Sequence, residues 1–308
     1  MRVAAPVLAT VTVLLLAGCA SATAGGAGAT GGGAVHGRVL RVVAAENFWG
    51  SLAAQIGGSR VQVTSIIANP NTDPHDYEPT ARDARAFSRA DYVIENGAGY
   101  DPWAAQLRSA TGGRQPLLRV ADLAGAKPGD NPHLWYDPST VDQVVARITR
   151  DLAALDGDAG GSIRARGQLF ARVGLAGYHQ LIATIRAQYA GTPVGASESI
   201  FAPLAGALGL ALRTPSGFLQ AISEGSDVSA ADKSVADRQI GAHQIRIYAE
   251  NTQNETPQIA LQVQACRAGG IPIATFTETL TPAGASFQQW QESQLQALRA
   301  ALAKGTGR

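Results

Sequence analysis

Cysteine is almost missing from this 308-residue chain, which holds only Cys19 and Cys266. So few thiols leave no disulfide framework on which a fold could be built. Clusters of lysine and arginine are missing too, and the formal net charge is +1, which argues against nucleic acid as a partner. No HExxH, no GxSxG elbow and no GxxxxGKS/T phosphate loop occurs. A catalytic zinc site needs an open coordination position with a general base beside it, commonly arranged by such a motif, so a secreted metallohydrolase is the least favoured reading. The apolar run that ends at Leu16 is too short to cross a bilayer comfortably and no stop-transfer pattern follows it.

What is present begins with that run. Met1 to Cys19 reads MRVAAPVLATVTVLLLAGC, with Arg2 before the apolar stretch and Leu16-Ala17-Gly18-Cys19 after it. This resembles the lipobox of bacterial lipoproteins, which implies a signal peptide over 1–18 and a lipid on Cys19. Residues 19–37 are Gly, Ala, Ser and Thr with no apolar period, the composition of a flexible tether. The expected location is therefore extracytoplasmic, anchored to the cell membrane through Cys19. With Cys19 lipidated, Cys266 has no intrachain partner, and its pattern IALQVQACRAGG marks it as a small buried residue.

Two of the five histidines share an unusual setting, His75 in DPHDYEPT and His133 in NPHLWYDP. Proline fixes its own φ and pushes the preceding residue out of the α region, so an imidazole just after it leaves a stiff turn in a defined direction. Imidazoles placed this way among carboxylates suit a divalent metal.

Short β-branched runs alternate with helix-period segments along the body, which is the α/β signature of a parallel sheet. The expected strands are Val39–Ala45, Val61–Ala68, Tyr92–Asn96 and Leu117–Ala121, then Pro193–Ala196, Leu210–Arg213, Ile245–Ala249 and Ile271–Thr275. They divide the body into an N-terminal lobe over 38–160 and a C-terminal lobe over 191–308, each with a sheet of about four strands flanked by helices. Asp137 and Pro138 should cap and start a helix with Val141, Val144, Val145, Ile148 and Leu152 on one face. Residues 161–190 should form one long rigid helix joining the lobes, with weak points at Gly167, Gly174 and Gly177. Ligands of open parallel sheets bind beyond the carboxyl ends of the strands. His75, His133, Glu198 and Glu278 all follow such ends, so two imidazoles could face two carboxylates across a cleft.

In their order, DPHDYEPT, NPHLWYDP, ASESIFAPLAGALGL, AENTQNETP and TFTETL resemble the zinc and manganese solute-binding proteins of bacterial ABC transporters. The likeness implies His75, His133, Glu198 and Glu278 as metal ligands, the last a departure from the more usual Asp. Zinc carriers of this family tend to present a third His, and some carry a His-rich loop; neither is present, so Mn²⁺ is favoured over Zn²⁺, with Fe²⁺ a minor alternative. Glu78 and Asp137 are candidates to orient an imidazole through its second nitrogen. The expected function is capture of the ion and delivery to the membrane permease of an ABC importer, by a monomer that is not an enzyme. A surface adhesin with a purely structural metal is the alternative.

Overall fold

The computed structural model describes residues 38–69 and 77–308. His75, Cys19, the signal segment and the tether fall outside these residues. Among the described residues there are two parallel four-stranded sheets. Strands β1 (Leu40–Glu46), β2 (Val61–Ile67), β3 (Tyr92–Glu95) and β4 (Leu117–Arg119) lie in the order β2-β1-β3-β4. Strands β5 (Pro193–Ala196), β6 (Ala211–Leu212), β7 (Tyr248–Asn251) and β8 (Ile273–Phe276) repeat that order as β6-β5-β7-β8. Every pairing is parallel, so the expected α/β class with two similar sheets is what forms.

A parallel sheet is covered on both faces, and β1 illustrates why this sequence accepts that. Val42 and Ala44 join one apolar cluster while Val43 and Ala45 join another on the opposite face. Only β5 has the expected bounds, the other strands being displaced by one to three residues at an end, and two of these differences have a clear local cause. Strand β4 stops at Arg119 because Val120–Ala124 turns into a short helix. Strand β7 runs to Asn251 and not merely to Ala249. Ile245 and Ile247 are buried, and this stretch already bonds β5, through Arg246 N–H to Pro193 O (2.8 Å) and Gly195 N–H to Ile247 O (3.0 Å). The regular ladder then continues through Glu250 and Asn251, polar residues that an apolar-run argument leaves out.

The connecting segment is helical but not uniform. An α-helix over Gly160–Leu169 passes into a wide π-turn over Phe170–Gly174, and a second α-helix covers Ala176–Tyr189. The change of winding comes among the glycines flagged as weak points, as π-bulges within longer helices do. Gly167 has a separate reason to be glycine: a Cβ there would overlap the Thr149 side chain of helix Pro138–Leu155.

A second bond between the lobes comes from helix Phe287–Thr306. Its Gln288 exchanges amide hydrogen bonds with Gln55 (3.1 and 2.7 Å), and its Phe287 N–H donates to Ser51 Oγ (3.0 Å). Between the sheets Phe48 stacks on Trp135 at 4.3 Å, and Tyr136 sits 5.7 Å from both Phe276 and Trp290. One apolar cluster thus runs through both lobes, and Trp135 and Tyr136 belong to it as fully buried core.

Candidate metal centre

The turn Asn131-Pro132-His133 leads from the β4 side of the first lobe into helix Pro138–Leu155. Pro132 cannot donate a backbone hydrogen bond, and its carbonyl accepts from Asn96 Nδ2 at 2.9 Å. Asn131 does more: Oδ1 accepts from His133 N–H (3.0 Å) and from the ring at Nδ1 (2.8 Å), while Nδ2 donates to Ser199 O (2.7 Å). Because the amide oxygen is the acceptor, Nδ1 carries the ring proton and Nε2 carries the lone pair. His133 is fully buried.

The second lobe brings Glu198 from the end of β5 and Glu278 from the end of β8, both buried. One ligand atom from each of His133, Glu198 and Glu278 lies within 4.8 Å of the other two. Asn251, at the end of β7, ties the acids together: its Nδ2 donates to Glu198 Oε1 (2.9 Å) and Glu278 Oε1 (2.8 Å). Its Oδ1 accepts from Gln253 N–H (2.9 Å), which fixes the amide the right way round. Gln253 Oε1 in turn accepts from Glu278 N–H (2.5 Å) and Thr279 N–H (3.0 Å), holding the loop after β8. From the first lobe the Tyr100 hydroxyl donates to Glu278 Oε2 at 2.9 Å.

Two buried carboxylates this close cannot both ionise cheaply. Burial first, and then the charge of Glu278, push Glu198 up to about 8, with hydrogen bonds from Ser223 and Asn251 opposing. Burial and the Glu278 charge also hold the Tyr100 phenol well above its ordinary range, so it remains a donor. Glu198 Oε2 is buried with no hydrogen bond of normal geometry among the described residues, although the Ser223 hydroxyl is near enough to ease its charge. A nitrogen lone pair and carboxylate oxygens brought together from two lobes, with an acid that holds a proton for want of a cation, make a donor set for a divalent transition metal.

Three of the four expected ligands therefore converge, and the fourth, His75, lies outside the described residues. Asp137 does not orient an imidazole. It caps helix Pro138–Leu155, accepting from Ser139 N–H (3.0 Å) and Thr140 Oγ1 (3.0 Å), while the His133 ring is held by Asn131. Glu78 is exposed, and His75, its neighbour in sequence, is outside the described residues. Glu250 is buried next to Asn251 but is not in the group. Sequence reasoning missed Asn131, Asn251, Gln253 and Tyr100 as supporting residues. The available signal was the position of polar residues at strand ends, where a buried amide has no purely structural use.

Comparison with known proteins bears on the family and the fold. The family described as zinc-uptake complex component A, periplasmic, matches residues 42–301. The manganese-binding lipoprotein MntA of Halalkalibacterium halodurans is 32% identical over 153 residues, 48% of each chain. The chain thus matches about half the length of such curated relatives. A manganese-bound mutant of the periplasmic metal-binding protein from Candidatus Liberibacter asiaticus superposes with a TM-score of 0.72, at 17% identity, over 85% of this chain and 99% of that one. A mutant of the laminin-binding adhesin Lmb from Streptococcus agalactiae superposes with a TM-score of 0.70 at 17% identity, again over 85% and 99%. At such identity these two structures establish the fold. Among the described residues no helix is long and apolar enough to cross a membrane. The family match covers most of the body, and this chain belongs to the periplasmic zinc-uptake component family of metal-binding ABC transporter solute-binding proteins, which bind substrate and are not enzymes.

Proposed function

We propose that this protein captures one Mn²⁺ or Zn²⁺ ion between its lobes, with His75, His133, Glu198 and Glu278 as ligands, and delivers it to the membrane permease of an ABC importer. It would act from outside the cytoplasm as a monomer, held at the membrane by a lipid on Cys19. The observation that carries this is the meeting of His133, Glu198 and Glu278 donor atoms within 4.8 Å, every one of them buried. Two carboxylates cancel the charge of a divalent ion, so the loaded site is neutral and tolerates burial. Mn²⁺ is favoured over Zn²⁺, with Fe²⁺ a minor cargo, because a third histidine is not in the expected ligand set.

The test is a thermal melt of chelator-stripped protein with and without added ion. A hundredfold excess over Kd should stabilise the fold by about 2.7 kcal/mol, and His133→Ala or Glu278→Ala should abolish the shift. Stripped protein should stay folded, since a carrier must release its cargo. Unfolding on chelation would instead mark the metal as structural, and no shift with either ion would end the proposal.

A further inference from the structure

We propose that Tyr100 sets the metal preference of this site, by opposing the use of both Glu278 oxygens on one ion. The inference rests on the metal-capture function above.

The loop that carries Tyr100 is built at some expense of backbone freedom. Gly97, Ala98 and Gly99 have φ of 79°, 55° and 89°, and a positive φ is uncommon for alanine. The Asp101 carboxylate fastens the loop by accepting from Asn96 N–H and Gly97 N–H, both at 2.7 Å. The result is a phenol, 1% exposed, that reaches from the first lobe to the ligand acid of the second. There its hydroxyl meets Glu278 Oε2 at 2.9 Å, while Asn251 Nδ2 meets Oε1 at 2.8 Å. Both oxygens of Glu278 are thus engaged by fixed donors. Glu198 differs: Asn251 Nδ2 holds its Oε1, while its Oε2 has no hydrogen bond of normal geometry among the described residues.

A carboxylate that chelates turns both oxygens toward the same ion. For Glu278 that motion bends or breaks the phenol bond, and hydrogen bonds to charged groups are the strong ones. Zinc is satisfied by four ligands in a tetrahedron and does not need the second oxygen, whereas manganese gains from it. The Tyr100 hydroxyl therefore weighs more heavily against manganese than against zinc. Its ring has a separate packing role against Trp135, 4.9 Å away, which phenylalanine would keep.

The experiment compares the wild-type chain with Tyr100→Phe, both metal-free, in competition titrations with Mn²⁺ and Zn²⁺. The ratio of manganese to zinc affinity should rise about tenfold in the variant, the weight of one hydrogen bond to a charged acceptor. Co²⁺ serves as a coordination probe: the wild type should give the intense visible bands of a four-coordinate site, and the variant weaker bands. If both affinities change by the same factor and the cobalt spectrum is unaltered, Tyr100 merely supports the fold and the inference fails. Should the variant not fold, weak six-coordinate bands from wild-type protein overturn it alone. Failure of wild-type protein to bind either ion would end the capture function itself, and this inference with it.

Discussion

At the scale of single residues, the site works by withholding partners. Glu198 keeps a proton in the metal-free protein because burial and the Glu278 charge raise it to about 8, from an ordinary 4.5. Its folded value exceeds its unfolded value, so the stability it contributes is complete below 4.5, declines as the pH rises, and is gone above about 8. Metal-free protein should accordingly melt lower at pH 8 than at pH 6, in calorimetric scans, while metal-loaded protein should not show that decline. Titration calorimetry in buffers of different ionisation enthalpy should register proton release on metal binding at pH 7. Asn251 supplies a second expectation. Asn251→Ala removes the amide that bridges both acids, and loss of such a support lowers metal affinity roughly 10–100-fold, with an unchanged far-UV spectrum. The meeting of His133, Glu198 and Glu278 was legible in the sequence because an X-Pro-His turn and an acid beyond an apolar run are local patterns. Asn251 and Gln253 were not, since their work depends on strands far apart in sequence meeting at one edge.

At the scale of elements, strand ends and helix starts follow from local chemistry where the residue types are unambiguous. Asp137 and Pro138 begin their helix as expected, and the same observation removes Asp137 from the imidazole-orienting role, since its oxygens are spent on the cap. Strand β7 was misplaced because its last residues, Glu250 and Asn251, are polar and buried for the sake of the cleft. The connecting helices were foreseen as one continuous piece, and the π-turn over Phe170–Gly174 emerges only from packing around glycine. Gly167→Ala offers a test of that packing. Alanine is the better helix former by about 1 kcal/mol, yet overlap with Thr149 should make the net effect destabilising, since overpacking costs about 1–3 kcal/mol. A variant with a raised melting temperature would contradict the close approach of the two helices.

At the scale of the whole molecule, two lobes with one strand order share a single apolar cluster. Helix Phe287–Thr306 and the Phe48, Trp135 and Trp290 rings tie them where an open hinge would need water. Sheets with such a shared core repack only in discrete small steps. The radius of gyration from solution scattering should therefore be nearly the same in metal-free and metal-loaded protein, and a large contraction on loading would rule out this rigid arrangement. The repeated sheet was visible in the spacing of the apolar runs, whereas the interlobe core was not, because its aromatic members come from segments as distant as Phe48 and Trp290.

The central claim is that donors from both lobes meet on one ion. Anomalous diffraction from crystals of the manganese-loaded protein tests it most directly. A single peak bonded to His133, Glu198 and Glu278, with His75 completing the set, is the expected result. A peak bound elsewhere, or bonded to residues of one lobe alone, would contradict it.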